Sequence, residues 1–163
     1  MTRLVEQRSL SLMKSFECVC SSIAIPKKNQ IIRFISDFQG LNKKIKRKQY
    51  PLLLMCDTIP SNGEFKYTTT IDLIMGYNNI LYDKKAKERC VIYLPWGIYR
   101  YNVLPMILIV SAAVFQEAMK KLMTDLESVF VYTENIITID SGGYEEHIKD
   151  VKEVLERLIN IVL

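Results

Sequence analysis

Phe65, Tyr67, Thr69 and Ile71 alternate with Lys66, Thr68, Thr70 and Asp72, the period of a half-buried strand that ends on an acid. Asp72 therefore lies on the face opposite Ile71. Upstream, residues 31–36 form a β-rich run ending at Asp37, and Pro26, Lys27, Lys28 and Asn29 before it have turn composition, which predicts a hairpin with a basic tip. Downstream, residues 89–94 and 98–103 are strand-like and joined by Pro95, Trp96 and Gly97, a second hairpin. The period then changes. Phe115, Ala118, Met119, Leu122 and Leu126 recur at three and four residues, the mark of a helix with Ser111 as a candidate cap. Residues 129–133 and 136–139 flank Glu134-Asn135, which predicts a hairpin with those two residues as its turn. After Ser141-Gly142-Gly143, the positions Ile148, Val151, Leu155, Leu158 and Val162 mark a last amphipathic helix that runs to the chain end. Residues 1–24 are only weakly amphipathic and set no boundaries. The order of elements gives an α+β class with antiparallel pairing.

The chain has 163 residues, 49% apolar and 25% charged, with 6 Gly and 5 Pro, which fits a folded unit of about one domain and excludes a disordered chain. Residues 1–163 read as a single domain or a piece of one. The net charge of +4 hides a split: residues 1–50 hold eleven Lys or Arg against three Asp or Glu, and the remainder eleven against fifteen. A polyanion or nucleotide partner for the basic third follows, although a solvated face has the same composition. Cys18, Cys20, Cys56 and Cys90 lack zinc-ligand spacing, and the only histidine is His147. They read as reduced, buried thiols of an intracellular protein, cytoplasmic or nuclear. The longest apolar run, residues 106–115, is interrupted by Ser111 and too short to span a bilayer, so no membrane route is expected.

Chemistry concentrates where a strand-end acid, Asp72, can meet the polar hairpin tip Glu134-Asn135. Two-metal phosphoryl transfer needs carboxylates from separate elements converging on two Mg²⁺ ions roughly 3.5 to 4 Å apart. Acids at strand ends and Asn in tight turns are also common for structural reasons, because Asn tolerates positive φ. The residues alone leave both readings open.

A run of words changes the weighting. IPKKN at 25–29, RFISDFQGLNKKIKRKQYPL at 33–52, FKYTTTIDLIMGY at 65–77, LPWGIYRYNVLPM at 94–106, FQEAM at 115–119 and VYTENIITI at 131–139 occur in this order. In wording and spacing they resemble the reverse transcriptases of gypsy-type long-terminal-repeat retrotransposons, closely from Ile25 onward. The resemblance implies a polymerase-type palm, an antiparallel sheet backed by helices, with a partial fingers subdomain. It implies Asp72 as a ligand of both Mg²⁺ ions, with the main-chain carbonyl of Leu73 beside it and the turn residues Glu134 and Asn135 completing the catalytic set. Tyr77 would pack under the incoming sugar and exclude a ribose 2′-OH. Lys28, less securely Lys27, and Arg33 would clamp the triphosphate, for which paired cations suit the chemistry. Met106 would touch the nucleotide from the palm. Lys43, Lys44, Lys46, Arg47 and Lys48 would lie along the template or primer backbone, each adding salt-dependent affinity. Partners by this resemblance are an RNA or DNA template-primer and deoxynucleotides. His147 matches a histidine of the family's palm helix and is expected to be structural.

The chain also departs from that pattern. The family has two aspartates in its tyrosine-x-Asp-Asp turn, where this chain has Tyr132, Thr133, Glu134 and Asn135. Glu134 moves its carboxylate outward by roughly 1.5 Å, one carbon–carbon bond, in a site where Mg²⁺ demands near-ideal geometry. Asn135 removes a charge. Ile107 stands where the family has a glycine near the nucleotide, Gln39 where it has arginine or lysine, and Leu53 where it has a second proline. Nothing after Leu163 corresponds to a thumb, connection or RNase H domain. The expectation is a decayed polymerase fragment, with two alternatives: an active enzyme using Asp72 and Glu134, or a non-catalytic module that binds nucleic acid or protein through its basic fingers.

Overall fold

The computed structural model describes residues 9–14, 19–26, 32–47 and 65–162. The chain forms two compact units, one from Met1–Arg47 with Tyr77–Ser111 and one from Lys48–Gly76 with Ala112–Leu163.

The first unit is built on a five-stranded sheet in the order β1 (Leu10–Leu12), β6 (Gly97–Tyr101), β5 (Val91–Leu94), β2 (Cys20–Pro26), β3 (Ile32–Ser36). The hairpin predicted around the basic tip is β2–β3, antiparallel from Ser22↔Ser36 to Pro26↔Ile32. The second predicted hairpin is β5–β6, closed through Pro95-Trp96 with Gly97 at φ +150. That positive φ favours glycine, and a Cβ there would also lie 3.3 Å from Leu12 Cδ1. Antiparallel pairing is not universal, because β2 runs parallel to β5 with Cys20 opposite Ile92. A hairpin strand reaching a non-sequential neighbour takes whatever direction the intervening chain permits. Sequence periodicity carries no signal for it. Leu10, Phe38, Cys90, Ile92, Leu94 and Leu108 form the core of this unit. Two short helices join it, α1 (Gln39–Asn42) and α2 (Lys84–Arg89), the latter capped by the Asp83 carboxylate accepting from the Ala86 amide.

The second unit has a three-stranded antiparallel sheet, β4 (Tyr67–Asp72), β8 (Asn135–Asp140), β7 (Val129–Tyr132), with the helices α3 (Ser111–Leu122) and α4 (Tyr144–Val162). Register fixes its two faces. Tyr67, Thr69 and Ile71 are opposite Asp140, Thr138 and Ile136, and α4 brings His147 onto this face. Thr68, Thr70 and Asp72 lie on the other face and are exposed. Ser111 is no cap: its hydroxyl donates to the Pro105 carbonyl at 2.6 Å and anchors the start of α3 to the preceding loop. Among the described residues, no helix is long and apolar enough to cross a membrane.

Candidate active site

β4 and β8 pair through to their ends, so Asp72 and Asn135 are direct Cα partners. The hairpin turn sits one residue earlier than the sequence pattern predicts. Tyr132 and Asn135 close the ladder, leaving Thr133 and Glu134 as the two turn residues and Asn135 as the first residue of β8. In this register Ile136 stands between Ile71 and Val131 on one face and Ile137 between Thr70 and Phe130 on the other, so β8 is buried on both faces there, at 0% and 8% exposure. At the turn, Thr133 takes φ +50, a backbone that a turn of this kind usually gives to glycine and that is an outlier for a β-branched residue. Met75, in the loop after Asp72, sits at φ +60.

The two loops are tied together. The Leu73 amide donates to the Glu134 carbonyl at 2.9 Å, and the Gly76 amide donates to Glu134 Oε1 at 3.1 Å. Burial pushes the Glu134 carboxyl above its ordinary range against the pull of the Gly76 amide, and the neighbouring Asp72 carboxylate pushes it further up. Two carboxylates thus share the tip of the sheet, and one has a main-chain donor already bonded to it.

This donor set can be compared with the Mg²⁺ pair the sequence suggests. A pair of ions needs more negative charge than Asp72 and Glu134 supply, the amide of Asn135 is neutral, and Glu134 Oε1 is turned to Gly76. Among the described residues there is no group of three or more His, Cys, Asp or Glu that could hold a metal ion. The residues present do not fit a two-ion site.

Other predicted residues fall as follows. Leu73 follows directly on Asp72 in the second unit. Tyr77 and Met106 belong to the first unit; Tyr77 is buried in the 3-10 turn Gly76–Asn79, and Met106 is 59% exposed. Lys43, Lys44, Lys46 and Arg47 are exposed after α1, with no ion pair among the described residues. Arg33 is a β3 residue opposite Ile25. Lys27, Lys28 and Lys48 lie outside the described residues, as do Cys18 and Cys56. Cys90 is buried as expected and Cys20 half-buried, and neither forms a disulfide among the described residues.

Sequence reasoning missed the side chains that hold these loops. Gln116 is 8% exposed; its Nε2 donates to the Val131 carbonyl and its Oε1 accepts from the Thr133 amide, both at 2.6 Å. Asn42 does the same for the segment after Pro105, donating to the Ile107 carbonyl at 3.2 Å and accepting from the Ile109 amide at 2.9 Å. Both lie in the matched words, FQEAM and the GLN of the second word; for Gln116, an amide at helical spacing from Ala112, Ala113 and Met119 is the signal that was available. His147 Nδ1 is 2.6 Å from Asp140 Oδ2 and its Nε2 2.7 Å from Thr69 Oγ1. A carboxylate only accepts, so Nδ1 carries the proton and, in the neutral ring, Nε2 accepts the threonine hydroxyl. This chain fastens α4 to both β4 and β8, the structural role expected of it.

The architecture is shared with solved polymerases. Two structures of a foamy virus protease–reverse transcriptase superpose with a TM-score of 0.85 each over 97% of this chain, at 20% identity, one of them described as in complex with dsDNA; this chain covers 21% and 33% of theirs. Such a likeness shows the fold, a polymerase palm-type fragment with fingers strands. Residues 25–163 match the reverse transcriptase (RNA-dependent DNA polymerase) family. The chain is 30% identical over 143 residues to the transposon Tf2-7 polyprotein of Schizosaccharomyces pombe and 29% identical to the Tf2-3 polyprotein, covering 86% of itself and 11% of either. It belongs to the reverse transcriptase family, in its gypsy-type retrotransposon branch.

Proposed function

We propose that this chain is a fingers-and-palm region of an RNA-directed DNA polymerase that has lost nucleotidyl transfer at its turn. The observation that carries the reading is the pairing of Asp72 with Asn135, a neutral amide where the family has an aspartate, next to a Glu134 bonded to Gly76. A misplaced or missing donor of this kind costs on the order of a hundredfold or more in rate, because alignment within about 1 Å is required. The resemblance supplies the substrate class, deoxynucleotides on an RNA or DNA template-primer, with Lys28 and Arg33 on the triphosphate, Tyr77 under the sugar and Met106 beside the nucleotide. A cytoplasmic or nuclear site of action accords with that substrate.

Incorporation of a labelled deoxynucleotide in Mg²⁺ or Mn²⁺ tests the reading. We expect none from the wild type, and none from Glu134→Asp with Asn135→Asp, because by the resemblance Ile107 stands where the family has a glycine near the nucleotide. Wild-type incorporation that disappears in Asp72→Ala would show an active polymerase. Activity in the double variant alone would show that only the turn was broken.

A second reading, retained binding of nucleic acid without chemistry, is favoured by the exposed Lys43, Lys44, Lys46 and Arg47, which form no ion pair among the described residues. Duplex affinity should then fall steeply between about 50 and 200 mM salt, as counterion release requires. Affinity indifferent to salt over that range would remove this reading.

A further inference from the structure

The Glu134–Gly76 bond depends on two loops, residues 73–76 and 133–134, meeting in one geometry. Consecutive residues of α3 touch one loop each. Phe115, 2% exposed, lies against Gly76 so closely that a Cβ there would sit 2.8 Å from its ring. Gln116 grips the other loop through Val131 and Thr133. Its bond to the Thr133 amide is made at the residue whose φ of +50 is unfavourable for a β-branched side chain. Such a conformation persists only where its surroundings over-determine it. A buried amide with one donor and one acceptor bond to the same short segment does this, whereas an apolar residue of equal size would not.

We infer that Gln116 is the positioning residue of the turn: it holds Thr133 in the left-handed conformation and thereby aims the Glu134 carboxylate at Gly76, beside Asp72. The inference rests on reading this turn as the site, but not on whether the site transfers nucleotides. Thr133 is where the effect of Gln116 enters, so a glycine at 133, which adopts positive φ unaided, makes Gln116 dispensable for aiming. A residue that merely filled space in α3 would not be replaced by a change in a different element.

Amide hydrogen exchange on the folded, full-length chain reads this without any nucleotide, primer or metal. The Gly76 amide reports the aim of Glu134, and Glu134→Ala identifies the part of its protection that comes from the carboxylate. In Gln116→Ala, exchange at Thr133 and at Gly76 should quicken by about tenfold or more, while the amides of the central strand β8 keep their protection. Adding Thr133→Gly should return Gly76 to within about twofold of wild type, with Thr133 itself still unprotected. Unchanged Gly76 exchange in Gln116→Ala overturns the inference. So does a loss of protection spread evenly over β8, and so does failure of the glycine to restore Gly76. Should Gln116→Ala alone not fold, Gln116→Glu makes the same discrimination. It keeps an oxygen for the Thr133 amide and removes the donor to Val131, so Gly76 must stay protected if the Thr133 bond does the aiming. Loss of that protection in Gln116→Glu overturns the inference too.

Discussion

The two units bury polarity in opposite ways. In the first, the buried polar atoms are neutral hydroxyls and a thiol set among apolar side chains: Tyr82 shares a hydrogen bond with Cys90, and Tyr101 with Ser36. In the second, buried polar groups form directional chains, Gln116 to the hairpin and Asp140–His147–Thr69 across helix and sheet, with Ser128 bonded to Asp150. Such hydroxyl and thiol pairs sit in a core that apolar side chains fill, and in this unit it is Asn42 that holds a loop, the segment after Pro105, by two hydrogen bonds. Directional bonds suit a unit that has to hold two loops at fixed positions. Here the bonds of Gln116 hold the hairpin that carries Glu134 and Asn135.

The largest effects should separate the units by mechanism. Phe38 is 1% exposed and stacks edge-on to Tyr101 at 5.8 Å, so Phe38→Ala should cost about 3 to 5 kcal/mol through lost burial and a residual cavity. A cost under about 1 kcal/mol in denaturant unfolding would mean that apolar packing does not hold the first unit. His147→Ala should cost about 2 to 4 kcal/mol for a different reason: it strips a partner from both Asp140 and Thr69 and leaves a nearly buried carboxylate without its donor. Asp140→Asn, which can still accept from Nδ1, should cost less. If the two variants cost the same, the carboxylate is not what the histidine holds.

Alkaline pH should bear on the first unit. Burial pushes the Cys90 thiol up to about 11 from 9.0, and burial also raises the hydroxyls of Tyr82 and Tyr101. The folded state favours the protonated thiol, so above about pH 9 the unfolded chain loses its proton first and the unit is progressively destabilised, up to about pH 11. The loss from Cys90 is at most about 3 kcal/mol, two pK units at 1.36 kcal/mol each. Trp96, the sole tryptophan, lies in this unit and gives the readout by fluorescence. Cys90→Val should flatten part of the alkaline slope, the phenols accounting for the rest. An unchanged slope would assign the whole of it to Tyr82 and Tyr101.

Much of this was legible in the chain, and what was not has a physical reason. The alternation through Asp72, the β5–β6 hairpin and the helical periods were all in the pattern, because burial on one face writes itself into the sequence. β1 was not, since a strand as short as Leu10–Leu12 shows too few alternations to register, and of β2 only the end at the predicted basic hairpin was placed. The parallel pairing of β2 with β5 was not, since pairing direction is a property of the connection. The turn lies one residue from where the sequence pattern puts it because Asn135 is the better candidate for positive φ, yet the ladder closes at Tyr132↔Asn135 and Thr133 bears the strain. At the site, the donors were visible as residue types. The amides that position them were not, because a hydrogen bond between residues far apart in sequence leaves no periodic trace.

The smallest expected effect has the opposite sign and tests whether the second unit's polar chains are complete. Thr138 lies in β8 between Thr69 and Val129, on the same face as Asp140, and is 0% exposed. Its Oγ1 has no hydrogen-bond partner among the described residues, although the Thr69 hydroxyl opposite is bonded to His147. A buried hydroxyl left unpaired costs roughly 1 to 3 kcal/mol of desolvation, and valine removes that group while keeping shape and β-branching. Thr138→Val should therefore stabilise the chain by about 1 kcal/mol, the gain being reduced by any relaxation already present. Thr69→Val, one strand away, should destabilise it, because it takes a partner from His147 instead of removing an orphan. Opposite signs at two threonines facing each other across one ladder would show that this unit is held by particular bonds. Equal signs would mean that Thr138 finds a partner in solution and that its polar network extends further than the Asp140–His147–Thr69 chain.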